Sequence, residues 1–299
     1  MRKRVLVTGA SGQLGSYLMD ALSRRDVDVI GWAGPMPGQK SQTHLAHVDL
    51  ADRSFAKEIV RLSPQVVIHA AAMAGVTDCA RDPNRAKVVN VGATRLIAET
   101  LDKMNGRLIF ISTDLIFDGE KGSYSEADSP NPLSIYGSTK VDAEQAVLAF
   151  PNHCVVRVSL LFGPPRNGRL SFFSQLVDAA KNGIKTKLFH DEWRTPLGLA
   201  AAAEAISEIA ASNVAGLLHV AGPERMSRVE IGRRLARHLG VSDEFIETTS
   251  RLSASGEPRP RDTSLNCTRW RSLFPIQPWP SFEESLTAMG ITSGARTCR

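Results

Sequence analysis

A short apolar run, Val5-Leu6-Val7, passes into Thr8-Gly9-Ala10-Ser11-Gly12-Gln13-Leu14-Gly15 and then directly into a segment of helical period. This junction narrows the possible folds sharply. Glycines at 9, 12 and 15 permit a tight turn, let backbone N–H groups approach a pyrophosphate, and let the helix lie close on the strand. The helix that follows places Leu14, Leu18, Ala21 and Leu22 on one face. Strand, turn and amphipathic helix together predict a dinucleotide held at the first helix N-terminus, in contact with Gly9, Ser11, Gly12, Gln13, Leu14 and Gly15. The spacing is G-x-x-G-x-x-G rather than G-x-G-x-x-G, a difference with diagnostic value.

Further apolar runs at Val27 to Ile30, Gln65 to Ala70, Arg107 to Ser112 and Cys154 to Val158 alternate with helical segments such as Val89 to Met104. That rhythm predicts an α/β fold: a doubly wound parallel (Rossmann) sheet covered by helices on both faces. Beyond Ser159 the alternation loosens into loops at Gly163-Pro164-Pro165, Gly222-Pro223 and Glu257 to Arg261. One later run, Leu217-Leu218-His219-Val220, still reads as a buried strand returning to the main sheet. The expected division is therefore discontinuous: residues 1–158 and 197–222 form the dinucleotide-binding domain, and 159–196 and 223–299 a smaller, mainly α substrate domain. Ser227-Arg228-Val229-Glu230 has the spacing of a capping box and predicts a helix start there.

Composition removes several classes of function. The apolar runs are far shorter than the roughly 20 residues that span a bilayer, so no membrane segment is expected. The basic start Met1-Arg2-Lys3-Arg4 leads into no signal-peptide core, which predicts a cytoplasmic protein. Cys79, Cys154, Cys267 and Cys298 are scattered, predicting reduced thiols and no metal site. The net charge of +5 comes without a basic run or interleaved aromatics, which argues against a nucleic-acid partner. A homodimer is a prior expectation only.

At the end of the second strand, Ile30-Gly31-Trp32-Ala33-Gly34 lacks the acid that would bind an adenosine ribose 2′-hydroxyl. NADP(H) is therefore favoured over NAD, with Arg24, Arg25 or Lys40 as candidate partners of a 2′-phosphate. Asp49, followed by Leu50, reads either as a partner of the adenine amino group or as a turn former. Tyr136 and Lys140 lie one helical turn apart and share a face. An ammonium there would favour the phenolate and bring the tyrosine toward acid/base strength near neutral pH. Thr113, at the carboxyl end of Leu108 to Ser112, is placed to hydrogen-bond a carbonyl that becomes alkoxide-like during hydride transfer.

These segments resemble the extended short-chain dehydrogenase/reductases, and within them the dTDP-4-dehydrorhamnose reductase branch. The resemblance is carried by Val7 to Gly15, His69-Ala70-Ala71-Ala72, Ser112 to Gly119, Pro132 to Lys140 and Arg157 to Gly163. It implies that Thr113, Tyr136 and Lys140 are catalytic: Tyr136 protonates the C4 oxygen of a nucleotide-linked keto sugar, NADPH delivers hydride to C4, Lys140 holds the nicotinamide ribose and Thr113 bonds the carbonyl. It also implies cofactor contacts from His69, Ala70 and Ala71, and a steadying role for Asn90 between central helices. The substrate would meet Thr113, Asp114, Trp193 and Arg194 of Asp191 to Pro196, and Arg259 of Arg259-Pro260-Arg261-Asp262, where an arginine suits a pyrophosphate. Two departures stand out. Leu115 replaces the branch's usual aromatic, and Leu197-Gly198-Leu199-Ala200-Ala201 replaces its usual context beyond Arg194. Leu115 also breaks the Asp-Glu pair that dehydratases of the superfamily carry after the catalytic Ser/Thr. Members of the branch can involve magnesium, but no carboxylate cluster in the sequence suggests its ligands. A non-catalytic alternative is the regulatory subunit of methionine adenosyltransferase, which resembles the same reductases and binds NADP; another nucleotide-sugar epimerase is a further alternative.

Overall fold

The computed structural model describes residues 2–34, 45–166, 168 and 170–292. The opening strand β1 (Lys3–Thr8) and helix α1 (Gln13–Ser23) are followed by β2 (Val27–Ala33), β3 (Ala46–His47), α2 (Phe55–Leu62), β4 (Val66–His69), β5 (Arg107–Thr113) and β6 (Cys154–Val158). Their order in a seven-stranded sheet is Gly216–Val220, β6, β5, β4, β1, β2, β3. Every pairing in it is parallel. Parallel pairing requires crossover connections, here helical, which cover both faces and bury the central strands, as in the fully buried Val66–His69. The strand order reverses between β1 and β4, and a crevice opens there at the carboxyl ends of the strands.

Two apolar clusters fill the faces of the sheet. One gathers Val5, Val7, Leu18, Leu22, Ile68, Ile109, Val156, Ile206 and Leu218. The other packs Leu6, Trp32, Ile59, Val67, Ile97, Leu108 and Phe110. The run expected to return to the sheet does so: Gly216–Val220 pairs with β6 from Gly216↔Cys154 to Val220↔Val158. A third cluster, with Phe162, Phe173, Leu176, Leu188, Val229, Leu235, Phe282 and Leu286, lies off the sheet. Its helices Phe172–Asn182 and Arg228–Leu239 start at the capping boxes of Ser171 and Ser227 and end at left-handed glycines, Gly183 and Gly240. Leu265, Cys267 and Trp270 from the late chain instead pack into the sheet's own core.

One expected helix differs in form. In place of a single α-helix over Val89 to Met104, a π-helical turn, Lys87–Gly92, leads into helix Ala93–Lys103. The irregularity coincides with buried Asn90. Its side chain accepts from Met73 N at 2.8 Å and donates to Met73 O at 3.1 Å and to Thr139 Oγ1 at 3.0 Å. The carboxamide thus ties the loop after β4 to helix Ile135–Leu148. Among the described residues no helix is long and apolar enough to cross a membrane.

Candidate active site

The glycine turn closes as the spacing requires. Gly12 N donates to Gly9 O at 2.8 Å, and Ser16 N to Gly12 O at 3.0 Å. A Cβ on Gly15 would lie 2.0 Å from Gly9 O, so only glycine lets α1 start this close to the turn. Two cavities open from the junction. The smaller, about 240 Å³, is lined by Thr8, Gly9, Trp32, Ala33, Gly34, Val48, Asp49, Leu50, Ala71, Met73 and Arg85 among others. The larger, about 640 Å³, is lined by Gln13, Leu14, Ala70, Thr113, Asp114, Tyr136, Lys140, Ser159, Glu192, Arg194, Arg228 and Arg259 among others. Gln13 Nε2 is buried without a hydrogen-bond partner among the described residues. A mainly apolar slot at one end, the glycine turn between, and an orphaned amide donor on Gln13, a residue of the larger cavity's lining, together fit an extended dinucleotide.

The expected nucleotide contacts divide in three. Gly9, Asp49, Leu50 and Ala71 line the adenosine-side slot, while Gln13, Leu14 and Ala70 line the larger cavity; Ser11 and Gly12 form the turn between. Asp49 serves as a turn former, its Oδ1 accepting from Ala51 N at 2.9 Å, while its other oxygen lies 3.8 Å from Arg85. His69 lines neither cavity. Fully buried, it bridges Thr8 Oγ1 at 2.6 Å and Thr94 Oγ1 at 3.0 Å, and burial, with Lys140 nearby, pushes its pKa down to about 3. It is a neutral strap between β4, β1 and the following helix.

Of the cations expected to meet a 2′-phosphate, Arg24 and Arg25 are engaged elsewhere. Arg24 pairs with Asp20 at 2.7 Å and Glu204 at 2.6 Å, and Arg25 pairs with Glu208 at 2.9 Å, tying α1 to helix Leu199–Ala211. Lys40 lies outside the described residues. Arg85 lines the slot instead. It stands more than 50 residues beyond β2, so no local sequence pattern marks it.

The catalytic candidates come together at the sheet's carboxyl edge. Thr113 ends β5, and its Oγ1 accepts from Leu115 N at 3.2 Å and reaches Asp114 Oδ1 at 3.3 Å. Ser134 caps helix Ile135–Leu148, accepting from Gly137 N at 3.1 Å, so Tyr136 sits in the first turn and Lys140 in the second. A Cβ on Gly137 would stand 2.4 Å from Leu115 O; glycine is what lets this helix close on the Thr113 turn.

The phenol differs from the expectation of an activated phenolate. Burial raises the Tyr136 pKa, Asp114 and Cys79 raise it further, and the neighbouring Thr113 hydroxyl offsets only part. Lys140 is engaged elsewhere: its Nζ donates to Ile111 O at 2.7 Å and lies 4.0 Å over the Phe110 ring. Burial brings Lys140 down to about 7, against the pull of Glu144. Tyr136 is therefore held protonated, the form that a general acid requires. Behind the pair, Glu144 receives Ser112 Oγ and the Arg157 guanidinium, Nη2 at 2.6 Å and Nε at 3.0 Å, entirely within the core.

At the opposite wall, Asp114 accepts from Ser159 Oγ at 2.8 Å and faces Arg194 Nε at 3.6 Å. Glu192 is fully buried between Arg228, 2.8 Å, Arg259, 3.3 Å, and Arg194, 3.5 Å. Burial alone would raise its carboxyl, but Arg228 and Arg194 outweigh that and hold it at about 2. The sequence singled out Arg194 and Arg259, and both line this cavity. Glu192 and Arg228 were legible only as a loop residue and a capping-box spacer. Trp193, expected at the substrate, is not among the lining residues; its indole stacks with Arg225, 3.9 Å away. Among the described residues no group of three or more His, Cys, Asp or Glu is placed to hold a metal.

Residues 2–292 match the family described as RmlD substrate binding domain. A probable dTDP-4,6-dihydroxy-2-methyloxan-3-one 4-ketoreductase of Streptomyces antibioticus is 30% identical over 287 residues, covering 93% of this chain and 92% of that relative. Methionine adenosyltransferase 2 subunit beta of Rattus norvegicus is 26% identical over 279 residues, covering 91% and 82%. The dTDP-4-dehydrorhamnose reductase of Bacillus anthracis, solved in complex with NADP, shares the fold with a TM-score of 0.85 at 24% identity, covering 97% of this chain and 99% of that one.

Proposed function

The chain belongs to the RmlD substrate binding domain family, and on that footing we propose that it is an NADPH-dependent reductase of a nucleotide-linked 4-keto sugar. The observation that carries the proposal is the opening of the glycine-turn residues Gln13 and Leu14, the set Thr113, Tyr136 and Lys140, and the arginine wall into one cavity. In this reading residues 1–158 and 197–222 hold the dinucleotide, and 159–196 with 223–299 hold the sugar nucleotide. Gly9, Gly12 and Gly15 shape the pyrophosphate turn, and Gln13 Nε2 gains a partner. The slot between Trp32 and Leu50 takes the adenosine, with Arg85 facing its ribose. A cation in the slot, and no acid at the end of β2, favour NADP over NAD.

When bound, NADPH supplies the hydride that reduces C4. Thr113 and the phenol of Tyr136 converge on the ketone oxygen; Tyr136 gives its proton as the oxygen becomes alkoxide-like. Lys140, one turn on, is drawn from the Ile111 carbonyl to the nicotinamide ribose. Asp114, fixed by Ser159 and Arg194, holds the single proton of the Thr113 hydroxyl, which turns from Asp114 Oδ1 to the ketone oxygen when the substrate is bound. The test is to mix protein, 4-deuterated NADPH and a dTDP-4-keto-6-deoxy sugar, and to look for deuterium at C4 of the product. Incorporation supports the reading, and unchanged ketone after cofactor binding contradicts it.

A second reading has support from the likeness to methionine adenosyltransferase 2 subunit beta over nine-tenths of the chain: a cofactor-binding protein that acts through a partner. It predicts cofactor binding without turnover. The complete catalytic set favours the enzyme.

A further inference from the structure

One loop beside the larger cavity is tied to two of its walls. Residues 255–260 line the cavity together with Leu133, Ser134 and Tyr136. The feet of the loop are anchored on the segment Asp191 to Arg194. Asp191 accepts from Ser250 Oγ at 2.6 Å and from Arg251 N at 2.7 Å, Arg259 meets Glu192 at 3.3 Å, and Trp193 N donates to Arg261 O at 2.7 Å. Among the described residues, a single hydrogen bond carries 252–258 beyond its own loop: Glu257 Oε1 accepts from Ile135 N at 2.9 Å, across 122 residues of chain. Ile135 opens the helix Ile135–Leu148, which bears Tyr136 and Lys140.

That helix does not need the contact in order to begin. Ser134 supplies a local cap by accepting from Gly137 N at 3.1 Å, and Ser138 N donates to Ser134 O at 2.9 Å. Glu257 adds a carboxylate from the loop, where the positive end of the helix favours it. The addition is costly, because Glu257 Oε2 is buried and meets no donor among the described residues. The backbone beside Glu257 is suited to hold a fixed register. Gly256, at φ 98° with open space where a Cβ would stand, takes a conformation that glycine adopts without strain. Beyond it, Pro258 and Pro260 fix their own φ and disfavour a helical backbone at Glu257 and Arg259, so the four residues form a short stiff bar. One end of the bar rests on Glu192 through Arg259, and the other on Ile135 through Glu257.

A contact that the helix start can do without, kept although one oxygen is desolvated and unpaired, is explained by what the first turn carries. We infer that Glu257 is a positioning residue for the proposed reduction: it latches the bar onto the first turn of helix Ile135–Leu148 and so sets the Tyr136 phenol in register with the arginine wall. The inference rests on the proposed reductase function, and adds to it the part that keeps substrate wall and proton donor in step. Catalysis is sensitive to such register, since a displacement of about 1 Å can cost on the order of 10²-fold in rate. Ser134 fixes where the helix begins; Glu257 fixes where that beginning stands relative to Arg259.

The test follows backbone amide exchange at Ile135 by NMR in the full chain saturated with NADP, and measures kcat and KM for NADPH-dependent reduction of a dTDP-4-keto-6-deoxy sugar by the same proteins. Wild type is compared with Glu257→Ala, with Glu257→Gln, which keeps the length and an acceptor oxygen, and with Leu252→Ala, an exposed residue of the same loop. Each variant is checked for an unchanged melting profile and NADPH affinity. Glu257→Ala should speed Ile135 exchange about tenfold or more, the worth of one charge-assisted hydrogen bond, and lower kcat about tenfold with KM changed by less than about threefold. Glu257→Gln should return both to within about threefold of wild type, and Leu252→Ala should alter neither. Arg259→Gln frees the other end of the bar and should speed Ile135 exchange about threefold with no substrate present; this response decides the matter if Glu257→Ala does not fold. Equal Ile135 exchange in wild type and folded Glu257→Ala overturns the inference, as does faster exchange with kcat intact. A loss confined to KM overturns it too, since Glu257 would then be only a part of the wall. No turnover by wild type, with Ile135 exchange still governed by Glu257 and Arg259, would overturn the reductase and leave the latch standing.

Discussion

The two ends of the cavity are built by different physics. The nucleotide end is made of backbone: a turn closed by Gly12 N to Gly9 O, a helix start that tolerates no Cβ at Gly15, and an apolar slot between strand ends. The substrate end is made of charge: Glu192 among Arg194, Arg228 and Arg259, with Asp114 and Thr263 completing the web. Backbone geometry is specified over a dozen neighbouring residues. The charged web joins positions far apart in the chain, such as Arg228 to Glu192, 36 residues apart, and Arg194 to Thr263, 69 apart. One end is rigid by sterics, and the other is held by mutual neutralisation.

That difference can be broken or sharpened by substitution, beginning where the effect should be greatest. Glu144→Ala removes one partner of a wholly buried pair and strands Arg157, which should cost about 3–5 kcal/mol in chemical denaturation. A loss below 1 kcal/mol would show that water reaches the pair. Gly15→Ala, with its Cβ on Gly9 O, should cost about 1–3 kcal/mol and weaken NADPH binding more than substrate binding. Comparable loss at both ends would deny that the turn serves the nucleotide alone. Arg85→Gln should lower the preference for NADPH over NADH about tenfold, while Arg24→Gln, whose surface pairs are worth little, leaves it unchanged. The reverse pattern in cofactor titrations would return the 2′-phosphate to α1. Trp193→Ala, outside the cavity lining, should change kcat/KM by less than about threefold, under 1 kcal/mol.

Lys140 supplies a pH test of the seam between the two ends. Its pKa in the folded protein, about 7, lies below that of an unfolded lysine, about 10.4. Between those values the unfolded chain binds the extra proton, so stability rises with pH, is fully gained above the unfolded value, and is lost as pH falls through about 7. The stability of the cofactor-free protein relative to Lys140→Met should accordingly rise from pH 7 to pH 10. A flat difference would mean that Lys140 is solvated.

The same contrast explains what could be read from the sequence. Val5 to Gly15, the alternation of apolar runs and the Tyr136–Lys140 spacing each encode their structure locally, and the sheet, the turn and the catalytic edge follow from them. The RmlD substrate binding domain match confirms the family that those segments resemble. Arg85 escaped because a distant helix brings it to the slot, and Arg228 because its local role, a spacer inside the Ser227–Glu230 capping box, hides a side chain directed into the cavity. Arg24 and Arg25 misled for the converse reason: near in sequence to the adenosine site, they are consumed by Glu204 and Glu208 of a helix formed some 180 residues later. The π turn at Lys87–Gly92 follows from the buried bonds of Asn90, which no periodicity announces.

The central claim is that a protonated Tyr136 completes reduction of a nucleotide-linked ketone. It is tested most directly by following NADPH oxidation with a dTDP-4-keto-6-deoxy sugar for wild type and Tyr136→Phe, with cofactor affinity measured alongside. The account predicts turnover by wild type and a fall in kcat of about 10²–10⁴-fold in the variant at unchanged NADPH affinity. Equal rates in the two proteins, or tight NADPH binding by both with no turnover, would contradict it.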